Sequence, residues 1–411
     1  MMISEPLSQY EEILKDAIRT SMKESGAKLA KTFQTLLIEI LTLYMILPRK
    51  INFTQMARYG KHGEQTYRQN FNRKKKDCID WLLLNLSLAR RVLDMDGLLA
   101  IAIDPCYISK AGKKTPHIGR FWSGCAGAVK HGLEIMGVGL LDVANNKCMM
   151  LRAHQTIGNS ALKMRNKTLV EYYISVMKRY SKKLLSITDI VVADAFFSTS
   201  TFEKGMSELG FYLVSRFRDN ACLHYIPKRE KGRGRPRVKG DKIDLANLNL
   251  SCMEELHIDG LDGKAYTLEA YAKALKKRVR LVIWRMPGGK CKLFFSTKLS
   301  MTGEEVLKTY RTRFQIEFCY RDSKQFTGLM DCQARHKSQL DFAFNASFAS
   351  LNAAKVFMKD NGMDNSMAKV KSLMFNANYT KLIFDMSRCR PNRTLISKIV
   401  KELIGWQPKA A

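Results

Sequence analysis

The stretch GLLAIAIDPCYIS at 97–109 leaves this chain little freedom in what it can become. Its apolar residues run without interruption from Leu98 to Ile103 and then meet Asp104, the pattern of a strand buried on both faces. HGLEIMGVGLLDV (131–143), ITDIVVAD (187–194) and FYLVSRF (211–217) read in the same way, and amphipathic helices are expected near 161–184 and 200–209. Strands that first follow one another and then alternate with helices predict a mixed α/β fold, a sheet covered by helices. Two of these strands end on an aspartate, Asp104 and Asp194. A carboxylate at such an end is either held rigidly at a site on the sheet edge or caps the next turn.

The partner is constrained by charge. The 411 residues hold 69 Lys and Arg against 38 Asp and Glu, a net charge of +31, which calls for a polyanion. The most apolar run, LLIEILTLYMIL at 36–47, is too short for a membrane span and is interrupted by Glu39, so nucleic acid is expected rather than a membrane. The N-terminus lacks the layout of a signal peptide. The ten cysteines show no CxxC pair or zinc spacing and read as reduced thiols of a cytosolic protein.

Residues 1–95 are expected to be a helical DNA-binding region, with 3.6-residue apolar spacing on either side of NFTQMARYGKHGEQTYRQNFNRKKK. That segment suggests a Thr54 N-cap, a short helix, a turn from Gly60 to Gly63, and a second helix with Arg68, Arg73 and three lysines. It resembles a helix-turn-helix; the other reading is a bundle with a solvated basic face. Between 218 and 300 the chain looks like a β-rich insertion, with strand-like KIDLANL, AYTLEAYAKAL, KKRVRLVIW and KCKLFFSTKL. Its basic loop PKREKGRGRPRVKG (227–240) carries Arg233, Arg235 and Arg237, either a minor-groove arm or a solvated charge run. A helical region is expected from 338 to 411.

Glu317 lies among Arg311, Arg313, Arg321 and Lys324. At about 100° per residue, Tyr310, Arg313, Glu317 and Lys324 fall within about 60° of one another on a helix, with Arg321 beside them. An exposed i, i+4 pair of Arg313 and Glu317 accounts for two of these residues. A face pressed on nucleic acid accounts for all of them, with cations and the tyrosine on phosphates and the carboxylate on a divalent metal.

The spacing Tyr310, Arg313, Glu317, Lys324 resembles the YREK signature of bacterial insertion-sequence transposases with a ribonuclease H-like DDE catalytic domain. The resemblance covers roughly 95–335 and includes Asp104 and Asp194 as the first two acids and the β-rich insertion before the third. It implies a catalytic domain built from 96–217 and 301–337, with the insertion at 218–300. Relatives often follow the second aspartate with a Gly-Phe turn, whereas Ala195, Phe196 and Phe197 follow here. The implied chemistry uses two Mg²⁺ ions, with Mn²⁺ able to substitute, held by Asp104, Asp194 and Glu317. Tyr310, Arg313, Arg321, Lys324, the loop arginines and Arg68 are then DNA contacts, and Trp284 is a base-flipping candidate. The resemblance further implies a homodimer on paired terminal inverted repeats, joining to target DNA, and a bacterial cytoplasmic, nucleoid-associated setting. The rival readings are a non-catalytic DNA-binding regulator and a stand-alone metal-dependent endonuclease.

Overall fold

The computed structural model describes residues 5–72, 79–227, 237–363 and 366–387. The chain opens with α1 (Glu5–Ser25), α2 (Lys31–Ile46), the short α3 (Phe53–Tyr59) and α4 (Glu64–Asn70), and α5 (Trp81–Val92). Two short helices joined by a turn stand where the helix-turn-helix was expected, with a different cap. Asn52, not Thr54, caps α3, its extended backbone letting the side-chain oxygen accept from Gln55 N at 2.9 Å. Thr54 lies inside the first turn and donates to Glu64 Oε2 at 3.1 Å, tying α3 to α4.

A mixed α/β domain follows, with the strands β1 (Leu99–Ser109), β2 (Gly119–Ser123), β3 (Ala128–Asp142) and β4 (Lys147–Gln155) in succession. Next come α6 (Asn159–Met164), α7 (Leu169–Leu185), β5 (Ile190–Val192), α8 (Ser200–Glu208) and β6 (Tyr212–Arg216). The single helix expected near 161–184 is two, because Asn166 takes a left-handed φ of 48° and Thr168 starts α7 with a reciprocal capping box to Glu171. Residues 218–300, where an insertion was expected, supply β7 (Leu223–Tyr225), β8 (Glu254–Leu256), β9 (Lys264–Ala272), β10 (Lys277–Arg285) and β11 (Cys291–Ser296). KIDLANL forms only an isolated bridge, Lys242 with His224. There the Asp244 carboxylate accepts from Ala246 N at 2.9 Å and from the Asn247 amide at 3.2 Å, a local turn that competes with a ladder.

These strands make one sheet in the order β2-β3-β1-β5-β6-β11-β10-β9-β7, with β4 on β3 and β8 on β9. β1, β5 and β6 are parallel neighbours, and β11 pairs antiparallel with β6, so the insertion continues the sheet. This large mixed sheet with helices at both ends is a ribonuclease H-like arrangement. Beyond it lie α9 (Gly303–Thr312), α10 (Gln315–Phe326), α11 (Lys337–Asp360) and α12 (Met367–Ser387). Residues 388–411 of the expected helical tail lie outside the described residues. Among the described residues no helix is long and apolar enough to cross a membrane.

One helix holds the layers together. α11 packs on β4 and on α1, α2 and α5, and its buried asparagines complete the free edge of β4. The Asn345 side chain bonds Ala153 N and O at 2.8 and 3.2 Å, and Asn352 bonds Met150 N and O at 3.3 and 2.7 Å. Seven helical residues rise about 10.5 Å, and three strand residues span about the same length, so the two amides meet backbone groups in register. Asn352 also donates to Asn85 Oδ1 at 2.9 Å, linking α11 to α5.

Candidate active site

Asp104 does not end its strand. β1 stays paired with β3 along its whole length, from Leu99 opposite Asp142 to Ser109 opposite Gly132. What ends near Asp104 is the parallel partner β5, which pairs only with Ile101 and Ala102. The carboxylate therefore projects from the middle of a long strand, at the place where the neighbouring strand has stopped. Opposite it stands Gly137, where a Cβ would collide with the Tyr320 hydroxyl, and this lets α10 lie directly on the sheet. Tyr320 donates to the Asp104 carbonyl at 2.6 Å and fixes that contact.

Asp194 follows β5 by two residues and also caps the next turn. Its Oδ1 accepts from Phe196 N at 3.0 Å at the head of a 3₁₀ turn, Ala195–Phe197. Ser215 of β6 donates to the Asp194 carbonyl at 2.9 Å. The cap is therefore formed, and its single bond leaves most of the carboxylate's accepting capacity free.

The continuous helix expected through Glu317 is divided between α9 and α10 at Arg313 and Phe314. Both residues keep right-handed helical angles, and the turn is tightened by i→i−3 bonds, Ile316 N to Arg313 O and Glu317 N to Phe314 O. The predicted face survives this break. The Arg313 guanidinium sits over the Tyr310 ring at 5.7 Å, bonds Glu317 Oε1 at 3.1 Å and comes within 3.8 Å of Asp104 Oδ1. Lys324 lies on the same side, beside Cys106 two residues along from Asp104 on β1. Burial pushes the Cys106 thiol up to about 11 against the pull of that ammonium.

The electrostatics follow from this crowding. Burial raises the Asp104 carboxyl to about 7; Arg313 opposes the rise, and the Asp194, Glu317 and Glu134 carboxylates add to it. Burial also works against the Arg313 charge, but Asp104, Tyr310 and Glu317 outweigh it and hold the proton more tightly than usual. One cation is thus shared among carboxylates from three elements.

Three hard oxygen donors suit Mg²⁺ or Mn²⁺, and an acid pushed toward neutrality by burial, with its fellow acids adding to the push, calls for positive charge. Among the described residues no three His, Cys, Asp or Glu side chains are gathered closely enough to hold a metal as they stand. In this arrangement the Arg313 guanidinium stands where the carboxylates' countercharge is required. The donor set fits a divalent ion in chemical type and charge.

Two neighbours were not evident from sequence. Arg216, at the end of β6, is near enough to Tyr310 to act on its hydroxyl, and its Nε is buried with no hydrogen-bond partner, as is Nε of Arg313. The only sequence signal was its position one residue before the end of FYLVSRF. Glu134, on the opposite face of β3, accepts from Tyr173 of α7 at 2.6 Å and gave no motif at all.

The other expected contacts are more scattered. Arg321 turns away to bond Asp322 at 2.9 Å and to cover Phe318 at 4.8 Å. Arg68 pairs with Glu64 and covers Phe53 at 5.0 Å. The Trp284 indole donates to the Asp262 carbonyl at 2.7 Å and reaches Tyr310 only through Phe294, at ring distances of 6.5 and 5.0 Å. Arg237 is exposed, whereas Arg233, Arg235, Arg73 and the lysines at 74–76 lie outside the described residues.

Residues 27–276 match the family model described as DDE superfamily endonuclease, a stretch that includes Asp104 and Asp194 and stops before Glu317. No curated protein matches the chain.

Proposed function

Since the chain belongs to the family of DDE superfamily endonucleases, we propose that it is a DNA transposase of the YREK type. In this reading it binds the ends of an insertion sequence, hydrolyses a phosphodiester there and joins the freed 3′ end to target DNA. The observation that carries it is the sharing of Arg313 among Asp104, Glu317 and Tyr310, with Asp194 close enough to raise Asp104.

Asp104, Asp194 and Glu317 would hold the metal. Two Mg²⁺ ions, when bound, supply an activated oxygen nucleophile and neutralise charge at phosphorus. The remaining steps belong to the chain's own residues. Arg313 and Arg216 each have a buried, unpartnered N–H, and their guanidinium charges neutralise a phosphate held beside the acids. Burial keeps the Tyr310 hydroxyl protonated, so it donates to the same phosphate. Lys324 holds the scissile strand from beside Cys106. In hydrolysis the P–O3′ bond breaks and the 3′ oxygen leaves as a hydroxyl. In joining, that hydroxyl attacks a target phosphorus and displaces another 3′ oxygen, with no covalent enzyme intermediate and no ATP. Cutting both ends of one element with one site per chain favours a homodimer on paired ends.

The test is incubation of the full-length protein and Mg²⁺ with a plasmid carrying the DNA that flanks this gene. Nicked ends and joined products are expected, both lost in Asp104→Asn. Cleavage without joining would establish an endonuclease instead, and binding without cleavage a regulator.

A further inference from the structure

Beyond Gly132 the sheet narrows to a ribbon. β3 leaves β1 there and continues with only β2, Gly119 pairing with Gly132 and Ser123 with Ala128. The pairing that puts Asp104 opposite Gly137 puts Trp122 opposite Val129 and Arg120 opposite His131. The register shift of β3 lies further on, at Val138 and Gly139, so strand alternation places Arg120, Trp122, Val129 and His131 on the face that carries Asp104.

Three observations say what this ribbon meets. Trp122 is 61% exposed, and no hydrogen bond or ring partner engages it among the described residues, although buried area and a bonded N–H are the usual reasons for keeping a tryptophan. From Pro105 to Leu133 there is no Asp or Glu, against Lys110, Lys113, Lys114, Arg120 and Lys130. A two-stranded ribbon is one of the shapes the major groove of B-DNA admits.

We propose that the β2–β3 ribbon is a DNA arm that enters the groove of the duplex beside the cut, with Trp122 and Val129 against base edges and Arg120 on the backbone. The eight residue steps from Val129 to Gly137 cover about 26 Å. At 3.4 Å per base pair the arm contacts duplex about eight base pairs from the scissile phosphate. It is a second contact, separate from the acids, and it rests on the DNA-cleaving reading above.

The experiment uses the full-length protein and a fluorescein-labelled 40-bp duplex of mixed sequence, followed by anisotropy across a salt series. Trp122→Ala is expected to weaken binding about tenfold and leave the salt slope unchanged, while Trp122→Phe stays near wild type. Arg120→Gln is expected to flatten the log–log slope by about 0.9. On plasmid cut by the wild type, hydroxyl-radical protection about eight base pairs from the cut should be lost in Trp122→Ala at unchanged melting temperature. Wild-type binding and cleavage with no change in any variant would overturn the arm and leave the proposed function standing. No duplex binding by wild type would overturn both. Unchanged DNA affinity together with a shift in sedimentation of Trp122→Ala would assign the ribbon to a protein interface and refute the inference.

Discussion

Replacing Asp104 with Asn should stabilise the fold, by an amount that depends on pH. With burial raising its carboxyl from 3.8 to about 7, the folded protein holds this proton more tightly than the unfolded chain does. A raised carboxyl favours the fold fully below about pH 4, and that advantage is lost as pH climbs through 7. At pH 5 only the unfolded chain ionises appreciably, at a cost to folding of about 2 kcal/mol; at pH 8 the net cost is about 4 kcal/mol. Asparagine does not titrate, and Arg313 keeps Glu317 as partner at 3.1 Å. The stability gain of Asp104→Asn, read from urea melts in EDTA, should therefore grow by about 2 kcal/mol between pH 5 and pH 8. Millimolar Mg²⁺ should narrow the gap by stabilising only the wild type. A gain equal at both pH values, or a loss at both, would refute the argument that burial and neighbouring acids strain this carboxylate.

Glu317→Gln and Asp194→Ala should each reduce cleavage below detection in gel assays while duplex affinity is kept or slightly raised; a variant that still cuts removes its residue from the site. Asn352→Leu should cost about 2–4 kcal/mol in urea melts, because it strands Met150 N–H and C=O and the Asn85 carbonyl inside the core. A loss under about 1 kcal/mol would show that these groups find other partners. Changing Arg233, Arg235 and Arg237 to Gln should flatten the salt dependence of binding by up to about 0.9 per lost phosphate contact, and an unchanged slope places that loop away from DNA.

The strands were legible because apolar runs report burial directly: GLLAIAIDPCYIS is β1, FYLVSRF is β6, and three of the four stretches assigned to the insertion are β9, β10 and β11. The cationic face was legible because Arg313 and Phe314 keep helical angles, so the break between α9 and α10 barely disturbs the rotation from Tyr310 to Glu317. Long-range partners left no local trace. Nothing in the sequence says that Asn345 and Asn352 serve the edge of β4, that Glu134 faces Tyr173 under the sheet, or that β11 docks on β6. The misplaced strand end at Asp104 has the same origin, since β3, not the composition of β1, decides where pairing stops.

The order of the strands also has a consequence in time. A chain made from its N-terminus presents Asp104 and Asp194 early, and Glu317 emerges only after the whole insertion, about two hundred residues after the first acid. α10 follows β11 in the chain and docks over Gly137 of β3, far back in sequence, so Glu317 takes its place by a long-range step of the slow kind. A nascent or truncated chain that stops inside the insertion already carries the basic helices and the β2–β3 ribbon, but not Glu317. On the proposed function, such a chain grips a polyanion without cutting it, and the capacity to break DNA waits until Glu317 has been made.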